Sequence, residues 1–453
     1  MDREPLLKIF DAALAAVDPY NAVIKAVKLE DTVFHVAGAS YDLGTFKRII
    51  AVGAGKATAR MALAIEDVLG DRISEGLVIV KDGHTSSLRT IKQVEAAHPV
   101  PNQAGVEGTK RLLEMVQAVD ERTLVICLLS GGASALLVAP MNGVTLKDKQ
   151  EVTTLLLKAG ASIEEMNTVR KHLSAVKGGK FAKAACTAQI VTMIFSDVIG
   201  DKLDVIASGP TARDSTTFAD ALAVIDKYRL KGNMPFRVMT FLERGVNGQE
   251  AETVKIGDAC LQKTRNVIIG GITQALSAAK EKARQLCYAP EVVTAELQGE
   301  ARDAARFLAQ TALRARDLAS QGERRCLLSG GETTVTVKGT GTGGRNQELA
   351  LAFALEIDGV DGMTLLSAGT DGTDGPTDAA GAIVCGSTAQ QARSLGLHPE
   401  TYLGNNDSYT FFNKLDALTG EQHHLITGPT GTNVMDIQIM LIEDGLRRTT
   451  VAG

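Results

Sequence analysis

Residues Arg48–Leu69 read RIIAVGAGKATARMALAIEDVL. After its arginine, Arg48–Val52 is continuously apolar, the pattern of a strand buried on both faces. Gly53-Ala54-Gly55-Lys56 then predicts a tight turn, and Ala57 to Leu69 a helix. Strand, glycine turn and helix make half of a βαβ unit, so the stretch predicts a parallel sheet covered by helices.

The same rhythm extends outward. Leu77–Val80, Val94–Ala97, Leu124–Leu129 and Ile190–Phe195 read as strands. Gln103–Ala118, Thr145–Ala159 and Ser162–Lys177 read as helices, with Ser162 and Glu165 spaced as a capping box. Lys231–Glu250 is rich in Gly, Asn and Pro and suggests a boundary, giving domains 1–235 and 236–453. The rhythm then restarts with strands Asn266–Ile269, Glu291–Ala295, Arg325–Leu328 and Met363–Ser367. Helices are expected over Ile272–Leu286, Glu300–Ser320, Asn346–Glu356 and Ser387–Leu395. Thr333–Lys338 (TTVTVK) alternates polar and apolar, as a half-exposed antiparallel strand would. The fold class is therefore α/β with two domains.

Composition narrows the function. The net charge is −5, and aromatic residues are 4% with no Trp. There is no basic field and no stacking platform for nucleic acid. No run approaches the ~18 apolar residues of a membrane span. Residues 1–18 read as an amphipathic helix, not a signal peptide. The six cysteines are scattered without a CxxC pair, which predicts reduced, buried thiols. A cytoplasmic location and small-molecule partners are expected, with a homodimer left open. Glycine is 45 of 453 residues, above the usual ~7%, and suggests many turns that offer bare amides.

Four motifs could carry chemistry. Gly53-Ala54-Gly55-Lys56-Ala57-Thr58 fails both as a P-loop and as a dinucleotide fingerprint, whose third small residue would fall at Thr58. It leaves an anion site on the helix start with Lys56 beside it, against a plain turn with a surface lysine. Thr340–Asn346 (TGTGGRN) places Gly341, Gly343 and Gly344 before Arg345 and Asn346. Gly339–Gly344 fits GxGxxG, but the preceding alternating segment is a poor context; a phosphate or carboxylate loop with Arg345 as a forked donor is the alternative.

Asp371–Asp378 (DGTDGPTD) is either a solvated acidic turn or a Mg²⁺ site using Asp371 and Asp374. Ser196-Asp197 ends a strand, where a carboxylate could accept a hydroxyl proton or hold a metal; Asp201 and Asp204 could do the same or cap helices. Arg170 and Lys171 face either a carboxylate ligand or solvent. The hexapeptide CLLSGG occurs twice, at Cys127–Gly132 and Cys326–Gly331. It predicts glycine turns Ser130-Gly131-Gly132 and Ser329-Gly330-Gly331 at a sheet's carboxyl edge, where α/β folds bind ligands. Amides, cations and carboxylates together are the kit of phosphoryl transfer.

The chain also resembles the class II glycerate 2-kinases, which carry a C-terminal MOFRL region and are often labelled hydroxypyruvate reductases. The matching stretches are Val52–Ala57, Leu128–Leu137, Met166–Lys180, Ser196–Thr211, Leu327–Glu348, Ser367–Ala382, Gly404–Ser408 and Thr427–Asp436. The resemblance implies ATP- and Mg²⁺-dependent phosphorylation of D-glycerate to 2-phosphoglycerate. It implies a Rossmann-like first domain, a MOFRL region near 320–440 and an active site in the interdomain cleft. It also implies catalytic roles for Lys56 and Arg345. Asp197 as the group orienting or deprotonating the hydroxyl is a reading of motif position alone. An NAD(P)H-dependent hydroxypyruvate reductase and a non-catalytic sugar-acid-binding regulator are the rival classes.

Overall fold

The computed structural model describes residues 3–443. The chain divides into two compact units: Pro19–Ile269, and the residues up to Asp18 together with those from Gly270 onward.

In the Pro19–Ile269 unit, six strands form one sheet: β1 Arg48–Ala54, β2 Glu75–Lys81, β3 Ile91–Ala96, β4 Thr123–Leu129, β5 Gln189–Phe195 and β6 Thr264–Gly270. Their spatial order is β3-β2-β1-β4-β5-β6. The pairings β1/β2, β1/β4, β2/β3 and β4/β5 are all parallel. This is the Rossmann order, with its topological switch between β1 and β4. The continuous apolar runs explain it. Ile50, Val52, Ala54, Val125, Cys127 and Leu129 are buried in one core with Leu112, Val116 and Phe181 from the covering helices. An antiparallel meander precedes the sheet, over Val27–Glu30, Val33–Val36 and Ala39–Asp42. It escaped the sequence reading because its strands are only four residues each.

The other unit holds β7 Ala289–Leu297, β8 Arg325–Gly331, β9 Met363–Gly369, β10 Gly381–Cys385, β11 His424–Leu425 and β12 Asp436–Ile442. Their order is β7-β8-β12-β9-β10-β11, and only β7/β8 is parallel. Helix Arg345–Glu356 lies in the core, with Asn346 through Ala354 all buried. The expected helix at the N-terminus is present as Glu4–Ala16. It packs on helix Ile272–Gln285 and so belongs to this unit.

Three expectations change. The boundary expected after residue 235 falls inside the Pro19–Ile269 unit, because Phe236–Val246 is a helix whose Val238, Phe241 and Leu242 pack against Phe218 and Ile225. Thr333–Lys338 forms no strand: its amides go to Gly299, Glu300 and Asn406 instead of a ladder. Helix Ser162–Lys177 stops at His172, with the predicted capping box in place. All six cysteines are unpaired; Cys127, Cys260 and Cys326 are buried, while Cys287 is exposed. Among the described residues no helix is long and apolar enough to cross a membrane.

Candidate functional site

The β1–β4 switch point brings Lys56 and Ser130 together. Gly55 has φ +143°, and a Cβ there would stand 2.0 Å from Ser130 Oγ. Only glycine permits so close an approach of the two turns. Ser130 Oγ then accepts from the Ala57 amide at 3.0 Å and bonds the Thr58 hydroxyl, while the Lys56 amide donates to Gly131 O at 2.9 Å. Two amides expected to cradle an anion are thus used to lock the turns. The Lys56 side chain is different. Half-buried, its ammonium has no hydrogen bond or ion pair among the described residues.

The Gly131–Gly132 turn gathers the rest. Asp197 Oδ2 lies 2.2 Å from where a Gly131 Cβ would sit. His98 and the Lys56 stem flank Gly132 at 3.0 and 3.2 Å from its notional Cβ. Burial pushes the Asp197 carboxyl above the usual carboxylate range, and Lys56 opposes that shift. Burial also lowers the His98 imidazole, helped by Lys56, Lys81 and His84, so His98 is neutral near pH 7. The structure brings Lys56, Gly131, Gly132 and Asp197 together at the carboxyl edge of the sheet, where this fold class binds ligands. His98, just beyond β3, sets its ring against the same turn.

In the other unit, Arg345 opens its helix. Its Nε and Nη2 donate to Asp436 Oδ2 and Oδ1 at 2.6 and 2.8 Å, and Nη1 lies 3.3 Å from Glu332. Burial works against the Arg345 charge, but the bonds to Asp436 and the field of Glu332 and Asp374 keep its affinity for the proton above the ordinary value. Asp436 is almost fully buried, which pushes its carboxyl up against the pull of Arg345. Asp436 closes the stretch Thr427–Asp436, yet no local signal shows that it meets Arg345.

The glycine loop is built for packing. Amides of Lys338, Gly339, Thr340, Gly341 and Thr342 are satisfied by Asn405, Asn406 and Asp407. A Cβ on Gly344 would stand 2.2 Å from Asp374 Cγ. These amides do not form the free anion cradle expected of Gly341, nor does the loop meet the dinucleotide pattern of a buried strand, turn and helix. The second SGG also differs from the first. Ser329, Gly330 and Gly331 are strand residues paired with Gln438, Ile437 and Asp436, and Ser329 Oγ donates to Gln438 Oε1 at 3.0 Å. The same hexapeptide is a turn in the first unit and sheet interior in the second, because β12 continues alongside β8.

For magnesium, the expected pair does not fit. Asp374 is fully buried, and its two oxygens accept from the Asn346 and Gln347 amides at 3.0 and 2.9 Å and from the Gln347 side chain. It is the cap of the Arg345–Glu356 helix, and Asn346 serves the same junction by accepting from Ser367 Oγ. Asp371 Oδ1 is engaged by Thr373. Among the described residues no cluster of three His, Cys, Asp or Glu side chains could hold a metal ion.

Lys171 is likewise committed, its ammonium 3.2 Å from Asp204 and 3.3 Å from Asp214. It is therefore not a free ligand donor. Arg170 makes no hydrogen bond or ion pair among the described residues.

A Rossmann-ordered sheet thus presents an unengaged lysine and a half-buried carboxylate at its switch point, in a chain with a second α/β unit. Comparison with known proteins gives the family. Residues 5–243 match a domain of unknown function, DUF4147, and residues 325–436 match the MOFRL family. The chain is 46% identical over 407 residues to the D-glycerate 2-kinase of Thermotoga maritima, covering 87% of this chain and 91% of that one. It is 40% identical to the glycerate 2-kinase of Pyrococcus horikoshii, covering 99% of both. The crystal structure of the Thermotoga maritima glycerate kinase superimposes with a TM-score of 0.84 at 42% identity, over 97% of this chain and 99% of that one. The chain belongs to the glycerate 2-kinase family and is a kinase.

Proposed function

We propose that the chain transfers the γ-phosphoryl group of ATP to the 2-hydroxyl of D-glycerate, giving 2-phosphoglycerate and ADP. The observation that carries this reading is the unengaged Lys56 ammonium across the Gly131–Gly132 turn from Asp197. Phosphoryl transfer needs positioning and charge neutralisation more than covalent chemistry by the protein. Lys56 supplies a positive charge that no ion pair or hydrogen bond holds among the described residues, with the Asp197 carboxyl as its electrostatic neighbour. Asp197, its basicity raised by burial, accepts the hydroxyl proton as the O–P bond forms. The family resemblance adds Arg345 as a second catalytic cation, oriented by Asp436. Mg²⁺ would enter with the nucleotide and neutralise phosphate charge, and no residue pair is assigned to it.

The test is stoichiometric. Purified protein with D-glycerate, ATP and Mg²⁺ should release ADP and 2-phosphoglycerate one for one. The reductase reading requires oxidation of NADH or NADPH by hydroxypyruvate. Robust nicotinamide oxidation without ADP release would overturn the kinase proposal.

A further inference from the structure

The Met166–Lys180 stretch buries more positive charge than it neutralises. Lys149 and Lys177 are 9% and 2% exposed. Their ammonium groups donate only to backbone carbonyls, of Leu173 at 3.0 Å and of Ser134 at 2.7 Å. Arg170 has no partner at all among the described residues. No carboxylate pairs with any of the three, although neighbouring Lys171 has two. Lys149, Arg170 and Lys177 repel one another, and burial with that repulsion draws Lys149 down to about 7 and Lys177 well below its ordinary value. Lys180 adjoins them, and it alone has Glu252 and Asp214 nearby in compensation.

Buried cations without a counter-charge are costly. A fold that keeps two of them together with the half-buried, unpaired Arg170 is complete when an anion joins them. The surrounding backbone is rigidly prepared. Ala207 and Ser208 hold φ of 54° and 60°, conformations that non-glycine residues adopt at a cost. The Gly178 and Gly179 amides pin that turn by donating to Ser208 O and Gly209 O at 3.0 and 2.7 Å. Ser208 Oγ in turn bonds Ser134 Oγ at 2.9 Å and donates to Asn167 Oδ1 at 3.2 Å. Ser134 lies two residues beyond Gly132, in the Gly131–Gly132 turn's continuation, and Lys56 and Asp197 pack against that turn.

We propose that Arg170, Lys149 and Lys177 form an oxyanion subsite of this unit, set beside the Lys56–Asp197 turn. Its occupant is the carboxylate of the hydroxy-acid acceptor or a phosphate of the nucleotide, and Arg170 is its forked donor. That assignment of the occupant rests on the kinase reading; the anion site itself does not.

The first experiment needs no turnover. Inorganic phosphate, D-glycerate and ATP are each titrated against the full chain by thermal shift, in wild type and in Arg170→Gln. At least one anion should raise the wild-type Tm, and Arg170→Gln should weaken that response tenfold or more in concentration. The ligand-free Tm of Arg170→Gln should equal or exceed wild type, since no bond is lost and a buried charge is removed; a purely structural arginine would lower it. Arg170→Lys, which keeps charge but not the fork, should recover part of the binding. In steady state, a tenfold rise in KM confined to glycerate assigns the carboxylate, and one confined to ATP assigns a phosphate. An unchanged anion response in Arg170→Gln, or a lowered ligand-free Tm with unchanged KM values, would overturn the subsite. Absent kinase activity with the anion response intact would overturn only the kinase reading.

Discussion

Arg345 and Asp436 meet as two matched forks, Nε on Oδ2 at 2.6 Å and Nη2 on Oδ1 at 2.8 Å. Planarity on both sides fixes the guanidinium and leaves Nη1 turned toward Glu332 at 3.3 Å. A lysine keeps the charge but cannot make the fork. Arg345→Lys should lower kcat by at least ~10²-fold, the scale of one lost transition-state donor. Asp436→Asn should lower kcat in the same direction, because its amide cannot accept both N–H groups. Near-normal kcat in both would show that the guanidinium's orientation is irrelevant to turnover.

Lys56 has no hydrogen bond or ion pair to lose among the described residues. Lys56→Ala should therefore leave Tm unchanged while kcat/KM falls by at least ~10²-fold. Activity within threefold of wild type would return Lys56 to an ordinary surface lysine.

How far the sequence carried the fold depended on element length and on which residues had to meet. The parallel sheet was legible because the middles of β1, β2, β4 and β5 are mostly apolar runs, and β1 and β4 lead through glycine turns into helices. Lys56 and Asp197 were legible because such strands deliver their ends to one edge. The second sheet was read less well. Its central strand, β12, lies at the end of the chain, and nothing local shows that Asp436–Ile442 inserts between β8 and β9. That insertion turns Ser329–Gly331 from a loop into a strand and sets Asp436 against Arg345. The glycines of 339–344 were visible, but Gly339, Gly341 and Gly343 are needed for contact with Asn405–Ser408, far on in sequence, and Gly344 for contact with Asp374. Acidic composition likewise suggested metal binding at Asp374, when what sits opposite is a helix start.

As a cap, Asp374 makes a prediction opposite to that of a metal ligand. Asp374→Asn turns one acceptor oxygen into a donor facing the Gln347 amide and side chain. It should cost about 1–3 kcal/mol of stability, the range for an unsatisfied buried polar group. The Mg²⁺ concentration for half-maximal activity should not move. Chemical denaturation and a Mg²⁺ titration of the same sample settle it: an unchanged stability with a raised Mg²⁺ requirement would reinstate the metal role.

The buried lysines make stability depend on pH in a direction that can be worked out. Lys149 titrates at about 7 in the folded chain against an ordinary 10.5, through burial first and then repulsion from Lys180 and Arg170. Lys177 shifts the same way for the same reasons, and Lys180 falls to about 8. Between these pH values the unfolded chain binds protons that the folded chain does not, so stability rises with pH. The penalty is full below about pH 7, where both states are protonated, and has gone above about 10.5. The ligand-free protein should therefore resist urea better at pH 9 than at pH 7. Lys149→Met removes one of the titrating groups and should flatten that slope. Inorganic phosphate should stabilise more at pH 7 than at pH 9, because a larger share of Lys149, which titrates at about 7, is then charged. Equal slopes in wild type and Lys149→Met would mean that Lys149 keeps an ordinary proton affinity and that water or an unnoticed counter-charge already compensates it.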